Sequence, residues 1–223
     1  MTRFIGFSGK KQRGKNLSAN IATELLESRG YTVAEYAFAE TLKDMCINVF
    51  GLDPNKVYGA NQDKESLTHI PWDGLPMEIR LKYSNTQRLP GIPGLPGDKE
   101  DLSVARTGLM THRELLQVMG TDIFREQVYS EVWAEAPFRQ DWEGIDLVLV
   151  TDTRFPNEVE AIESREGVVV RVERDMETLK SDSHPSETAL DEHPFRYVIH
   201  NNSTIQDLEK KVELFLENSG FIS

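Results

Sequence analysis

One cysteine stands in 223 residues. Cys46 therefore has no partner for an internal disulfide, and its apolar position in a predicted helix marks it as buried and inert. No apolar run reaches the ~18 residues that a bilayer-spanning helix requires. Segment 1–9 is too short and too polar in context for a signal peptide, so an intracellular, cytoplasmic protein is expected. Positive charge is scarce as well. The 25 Lys and Arg against 37 Asp and Glu leave a net −12, which disfavours nonspecific binding to nucleic acid or an anionic membrane. There is no internal repeat and no Ser-His-Asp or Cys-His set. His184, Glu187 and His193 lack metalloprotease spacing, so no zinc site is expected. The length suits one α/β domain with a sizeable core, or such a core carrying one large insertion.

An anion bound by so acidic a chain must meet a local concentration of positive charge. "RFIGFSGKKQRGKN" (3–16) supplies one, with four cations in the six positions 10–15. Gly9 to Asn16 fits G-x-x-x-x-G-K-[ST] except at the last position. Such glycines let the backbone curl with its N–H groups inward. A helix N-terminus then faces the phosphates, and Lys15 reaches the β and γ oxygens. The context agrees: 3–7 reads as a short buried strand, and Leu17, Ile21 and Leu25 mark one face of a helix that Gly30 ends. A solvated basic turn would explain the loop alone, but not its coincidence with strand and helix. Asn16 is the departure. A hydroxyl there normally ligates Mg²⁺, an amide oxygen does so less well, and Ser18 points elsewhere on the helix.

"YTVAEYAF" (31–38) reads as a second strand, and "AETLKDMCINVF" (39–50) as a helix with Leu42, Met45, Cys46 and Val49 inward. Strand, helix, strand, helix favours a parallel sheet with helices packed on it. The middle differs. Residues 51–110 hold six of the ten prolines, and "RLPGIPGLPGDKED" (88–101) reads as an exposed, mobile, protease-sensitive loop. "MEIRLKYS" (77–84) alternates like one arm of a hairpin. This region is expected to be an insertion in the core or a cap over it, within a single domain spanning 1–223. Thr111 and Glu114 have capping-box spacing, so a helix starts there, interrupted or bent at Gly120-Thr121. "GIDLVLVTDTRF" (144–155) contains the most apolar strand, 145–151, buried on both faces. Helix 157–164, strand 168–173, a polar segment 174–194 and strand 196–200 follow. A final helix has Ile205, Leu208, Val212 and Phe215 inward.

Asp152 ends the apolar strand. Ligands of open α/β sheets sit beyond the carboxyl ends of strands, so a carboxylate there can hold Mg²⁺ through water or order a substrate. Capping of the next turn is the plainer alternative, which the glycine-rich loop motif makes the lesser one. Arg154 and Glu158 share this edge. Phosphoryl transfer spreads negative charge over the moving group, so arginines should converge on it. The candidates are Arg113, Arg125, Arg154, Arg171 and Arg174; taken singly, each is better explained as a surface residue than as a clamp, but at least two are expected to work. Phe38, Trp72, Tyr83 and Trp133 can stack a base, although burial explains any one of them.

Several pieces together resemble the deoxynucleoside monophosphate kinases of bacteriophages, within the P-loop nucleoside monophosphate kinase superfamily. They are "FSGKKQRGKN", "YAFAETLK" (36–43), "THRELLQVMGTDIFR" (111–125), "TDTRFPNE" (151–158), "SHPSE" (183–187) and "VIHNNSTIQDLE" (198–209). They run in order over most of the chain and leave chiefly 51–105 uncovered. The P-loop alone is unspecific; its combination with R-E-L-L-Q-x-x-G-T and D-x-R-F-P-N-E is much more so. The resemblance implies an α/β fold, a three-layer sandwich of P-loop NTPase type. Its sheet would be five-stranded and mostly parallel, with a substrate-side insertion at 51–110 and a lid at 174–194.

The resemblance also implies an enzyme that moves the γ-phosphate of ATP, with Mg²⁺ as cofactor, onto a dNMP to give dNDP and ADP. Gly9, Lys10, Arg13, Gly14, Lys15, Asn16, Leu17 and Arg171 would bind ATP, with the Asn201-Asn202 turn against adenine. Lys15, Arg125, Asp152, Arg154 and Glu158 would form the reaction centre. Phe38, Lys43, Arg113, Gln117, Arg125, Trp133 and Asp152 would form the substrate side, and Asn16 and Asp152 would meet the metal. Family members often carry Asp where this chain has Asn16, so the missing hydroxyl does not argue against activity. The implied partners are ATP and a dNMP, with neither nucleic acid nor membrane. The chain would be a monomer or homodimer, and would act in the host cytoplasm if phage-encoded.

The chemistry agrees with that reading. A nucleoside monophosphate already carries an ionised oxygen nucleophile, so alignment, Mg²⁺ and cationic stabilisation suffice without a strong base. Water must be kept from the γ-phosphate, so a closing lid is expected. Animal phosphomevalonate kinases share a similar loop, a D-T-R after a buried strand and a downstream S-E. The R-E-L-L-Q-x-x-G-T helix and the long insertion with its aromatics favour a nucleotide acceptor. A P-loop module that senses nucleotide without turnover is the other alternative, supported only by Asn16.

Overall fold

The computed structural model describes residues 2–84, 105–175 and 185–222. The expected mobile loop at 88–101 and residues 176–184 of the expected lid, with His184, lie outside the described residues. In chain order the elements are β1 (Arg3–Ser8), α1 (Lys15–Ser28), β2 (Val33–Tyr36), α2 (Phe38–Phe50), α3 (Pro54–Tyr58), α4 (Asn61–Lys64), β3 (Leu67–Pro71) and α5 (Met77–Lys82). They continue with β4 (Leu109–Thr111), α6 (His112–Gln117), β5 (Leu147–Thr153), α7 (Pro156–Glu163), β6 (Val168–Glu173), α8 (Pro185–Thr188), β7 (Tyr197–His200) and α9 (Ile205–Asn218). None of the described helices is long and apolar enough to cross a membrane. The chain divides into two compact units, residues 1–40 with 131–223, and residues 41–130.

The first unit is built on a five-stranded sheet in the order β2-β5-β1-β6-β7, with every neighbouring pair parallel. Leu147 to Val150 of β5 are fully buried, as the apolar run requires of a strand covered on both faces. Alternation along β1 divides the layers. Ile5 and Phe7 join Ala19, Ala22 and Leu26 of α1 and Leu208, Val212 and Phe215 of α9 in one core cluster. On the other face Phe4 meets the Phe138 ring, with centroids 4.7 Å apart, and Gly6 lies against Ile162 of α7. Helices on both faces of a parallel sheet make the three-layer α/β sandwich expected from the sequence. Gly30, at φ 87°, ends the α1 region as predicted.

Two inward assignments need correction here. Leu17 is 39% exposed in the first turn of α1, whereas Ile21, one turn on along the same face, is buried and Leu25 packs against the core. Ile205 opens α9 a turn before the first buried residue, Leu208, and is 56% exposed.

The second unit has its own core, with Cys46, Leu52, Val57, Trp72, Ile79, Met110, Leu115 and Val118 buried together. Burial pushes the Cys46 thiol up to about 11, which agrees with an inert thiol. The buried row of α2 steps Leu42, Cys46, Phe50 at intervals of four and leaves Val49 outside, contrary to expectation. Segment 77–84 is not a hairpin arm. It forms α5, with Ile79 buried and Tyr83 packed beside it at the i+4 position, its ring 5.1 Å from that of Trp72. The antiparallel pairing belongs instead to β3 with β4.

The capping box forms as predicted: Thr111 Oγ1 accepts from Glu114 N at 3.1 Å, and Glu114 Oε2 accepts from Thr111 N at 2.8 Å. Beyond it α6 gives way after Gln117 to a π-helical stretch, Val118–Val128, which contains Gly120-Thr121. Gly120 lets Leu42 of α2 approach this stretch, since a Cβ there would lie 2.7 Å from Leu42 Cδ2. Asp122, buried within the stretch, is satisfied by Lys82 Nζ at 2.5 Å and Tyr83 Oη at 2.8 Å.

Gly6 is the tightest point of the sheet's α7 face. A Cβ would stand 2.8 Å from Ile162 Cδ1, 2.9 Å from Thr153 Oγ1 and 3.0 Å from Val169 Cγ2. Gly6→Ala should therefore destabilise the protein by about 1–3 kcal/mol through overpacking. A denaturant midpoint equal to that of the wild type would contradict this packing.

Candidate functional site

Parallel strands bring the segments that follow β5, β1, β6 and β7 to one edge of the sheet. β1 ends at Ser8, which is in register with Thr153 of β5 and Arg171 of β6. The chain then turns at Gly9, φ 150°, where a Cβ would strike Val172 O at 2.4 Å. Gln12 takes a left-handed conformation, Arg13 N donates to Lys10 O at 3.3 Å, and Gly14 at φ 99° opens α1. A Cβ on Gly14 would meet Asn201 Nδ2 at 2.3 Å; that same nitrogen donates to Arg13 O at 3.1 Å. Asn201 N in turn donates to Glu173 O at 2.7 Å. The loop is thus held to the ends of β6 and β7 by contacts that exclude side chains at both glycines.

Lys15, the first residue of α1, folds its ammonium back onto the loop and donates to the carbonyls of Gly9 and, at 3.2 Å, Lys10. It is 7% exposed. Burial first, then the nearby Arg154, lowers its pKa to about 8, against the opposing pull of Glu187 and Asp152. Ser18 is fully buried and its hydroxyl has no hydrogen-bond partner among the described residues, so it does not replace the hydroxyl missing at Asn16, which is exposed.

Carboxylates surround this cationic loop. Glu187 accepts from Lys11 N at 2.9 Å and pairs with Arg154 Nη1. Burial works against the charge on Glu187, yet Arg154 and the Lys11 amide hold its pKa below the usual carboxylate range. Asp191 sits 2.7 Å from Lys10 Nζ and 3.6 Å from Arg171 Nη2. Arg171 also donates to Ser8 Oγ at 3.2 Å, and burial lowers its pKa. Glu158 accepts from Arg154 N at 2.7 Å and Phe155 N at 3.1 Å, which fixes the turn between β5 and α7. Asp152 accepts from Phe38 N and Ala39 N, both at 2.9 Å, so it caps the start of α2 rather than the turn that follows it.

A cavity of about 730 Å³ adjoins the loop, lined by Lys10, Arg13, Arg171, Val172, Glu173, Arg174, Asp175 and Asp191. Four of those residues are cations and three are carboxylates, so the lining keeps a small excess of positive charge in a chain that is acidic as a whole. No group of three or more His, Cys, Asp or Glu is placed to hold a metal ion among the described residues. One carboxylate at Asp152 and one amide oxygen at Asn16 do not form a cage. They are hard oxygen donors of the kind that hold Mg²⁺ arriving on nucleotide phosphates.

The first unit therefore gathers Gly9, Lys10, Arg13, Gly14, Lys15, Asn16, Leu17, Asp152, Arg154, Glu158, Arg171, Asn201 and Asn202 around one sheet edge. Asn202 exchanges hydrogen bonds with Asp175, at 2.7 and 2.8 Å, while Asn201 is spent on the loop. Phe38 and Trp133 also belong to this unit, each 7% exposed. Lys43, Arg113, Gln117 and Arg125 belong to the second unit. There Lys43 Nζ lies 4.6 Å from the Tyr58 ring centre, and Arg113 pairs with Glu65 at 2.5 Å. The sequence reading missed Asp191, and it weighed Glu187 only as a zinc ligand. The one available signal was the Glu of "SHPSE".

The family described as "Deoxynucleotide monophosphate kinase" matches residues 98–212, just over half of the chain. A "Putative deoxynucleotide monophosphate kinase" of Acanthamoeba polyphaga mimivirus is 26% identical over 96% of both chains. The "Deoxynucleotide monophosphate kinase" of Enterobacteria phage T4 is 23% identical over 95% of this chain and 97% of its own. The "Deoxynucleoside-5'-monophosphate kinase" of Escherichia phage T5 is 32% identical over 53% of this chain and 46% of its own.

The lowered pKa of Lys15 has a measurable consequence. Between about 8 and the ordinary 10.5, the unfolded chain holds the Lys15 proton and the folded chain has released it. Stability contributed by this group therefore rises with pH through that window, by at most about 1.4 kcal/mol per pH unit. The difference in unfolding free energy between wild type and Lys15→Met should grow from pH 8 to pH 10. Denaturant titrations at pH 7, 8.5 and 10 check it, and a constant difference would refute the buried ammonium.

Proposed function

The chain belongs to the deoxynucleotide monophosphate kinase family, and on that footing we propose how its residues divide the transfer of a phosphoryl group from ATP to a dNMP. The observation that carries the assignment is the loop after β1, with two glycines pressed against neighbouring backbone and side chain and a buried Lys15 at the mouth of a parallel sheet. Its curled amides and the N-terminus of α1 receive the donor phosphates. Lys15 exchanges the carbonyls of Gly9 and Lys10 for the β and γ oxygens. Lys10, Arg13 and Arg171 line the cavity beside the loop and take the remaining phosphate charge, with Asn16 and Leu17 beside the loop and Asn202 toward the base.

The acceptor is a phosphate oxygen that is already ionised, so the protein supplies alignment and charge compensation rather than a base. Arg154, with its backbone fixed by Glu158, faces the moving phosphoryl group, and Arg125 is assigned to that group through the family likeness alone. Asp152 keeps a second lone pair on each oxygen while both accept α2 amides, and orders the acceptor from there. Phe38, Lys43, Arg113, Gln117 and Trp133 are assigned to the dNMP through the family likeness. Mg²⁺ carried on ATP would neutralise part of the phosphate charge, with Asn16 and Asp152 as its protein ligands.

A coupled ADP-release assay tests this reading, with each dNMP, the matching NMPs and phosphomevalonate as acceptors, with and without Mg²⁺. ADP release should depend on a dNMP and on Mg²⁺, and Lys15→Met should lower it by at least about 10²–10³-fold, the cost of losing one preorganised charge contact. Tight ATP binding without ADP release on any monophosphate would identify a nucleotide sensor instead.

A further inference from the structure

Two carboxylates within five residues of each other cover the groups that a donor phosphate would use. Glu187 accepts the Lys11 N–H at 2.9 Å with one oxygen and pairs with Arg154 through the other. Asp191 stands 2.7 Å from Lys10 Nζ and 3.6 Å from Arg171 Nη2. Resting on the assignment of this loop to ATP, we propose that Glu187 and Asp191 are built-in occupants of the donor-phosphate site, anions of the chain that ATP must displace and that thereby set its affinity for ATP.

A backbone amide has one proton, so while Glu187 holds Lys11 N no phosphate oxygen can take it. An ammonium and a guanidinium can share their several protons; the amide cannot. Carboxylate and phosphate oxygens are equivalent acceptors toward N–H and guanidinium donors, and a charged acceptor binds them roughly twice as strongly as a neutral one. Glu187 has a side-chain exposure of only 11%, and a carboxylate so far from water is stable only where it is paired. Its position is explained by the donors it meets. The phosphates of ATP carry the same sign of charge, so the two anions cannot occupy the Lys11 amide together. Binding must include the loss of Glu187 from that amide, and affinity falls by the fraction of molecules in which the site is self-occupied.

The pair also offsets the positive charge that the site gathers. Lys10, Arg154 and Arg171 each have an internal carboxylate partner without any ligand. A single small anion gains little by replacing partners already in place, whereas a triphosphate replaces several at once.

Equilibrium titration of ATP by calorimetry tests the proposal, on wild type, Glu187→Gln, Asp191→Asn, Glu192→Gln and Lys15→Met. Glu187→Gln keeps the shape and an acceptor oxygen but removes the charge, and should tighten ATP about tenfold. Asp191→Asn should tighten it severalfold. Glu192→Gln removes a charge from the same segment at an exposed position and should leave the affinity within about twofold, given screening at the surface. Unchanged or weaker binding by both Glu187→Gln and Asp191→Asn, with Lys15→Met still abolishing it, overturns the proposal. Equal tightening by Glu192→Gln overturns it too, because net charge alone would then suffice. If Lys15→Met binds ATP as wild type does, the assignment of the loop itself fails, a separate outcome. Asp191, with 33% side-chain exposure, gives an answer even where Glu187→Gln folds poorly.

Discussion

The buried ammonium of Lys15, turned back onto the carbonyls of its own loop, is the contact on which the rest of the site depends. An amine with so little exposure must find acceptors, and the curled backbone supplies them. The curl requires two positions without side chains. One is Gly9 against the backbone of β6, and the other is Gly14 against Asn201 at the end of β7. Both contacts come from neighbouring segments of a parallel sheet, so the loop cannot take this form without the fold around it. In that sense the loop's shape belongs to β1, β6 and β7 together.

Charge is balanced locally around that contact. An acidic chain places Lys10, Arg13, Lys15, Arg154 and Arg171 close to one edge of the sheet, where uncompensated charges would repel one another and lose water. Glu187, Asp191, Glu173 and Asp152 offset them, and none of these pairs is entirely dry. Breaking a buried pair by removing one partner costs more than the pair contributes, because the survivor is left unpaired. A site of this kind is stable either with its own carboxylates or with a polyanion in their place. A half-filled state is the unfavourable one.

Much of the first unit was legible in the sequence because its signals are local. Short apolar runs at 3–7, 147–151 and 168–172 become central strands, and the glycine spacing of 9–14 becomes the loop. Thr111 with Glu114 forms the capping box it spells. Misreadings arose where burial, not composition, decides. Leu17, Val49 and Ile205 are apolar and correctly spaced, yet the packed faces pass beside them or stop a turn away. Alternation in 77–84 resembled a strand, but only Ile79 of its apolar positions is buried, and the i+4 step to Tyr83 sets the structure. Glu187 and Asp191 were beyond reach for a different reason. Their partners at Lys11 and Lys10 are 176 and 181 residues away along the chain, and no local pattern records such a pairing.

Asp152 shows why a structural and a chemical reading of one residue need not compete. Its two oxygens accept the Phe38 and Ala39 amides, which joins the end of β5 to the first turn of α2. Those two bonds also fix the plane of the carboxylate, and with it the directions of the lone pairs that remain. A freely rotating carboxylate would lose side-chain entropy each time it ordered a ligand; this one has lost that entropy on folding. The amide bonds that stabilise the fold are therefore the same bonds that would prepare the group for the role proposed for it. A residue whose capping duty looked like the plainer alternative is, for that reason, better suited to chemistry than an unrestrained one would be.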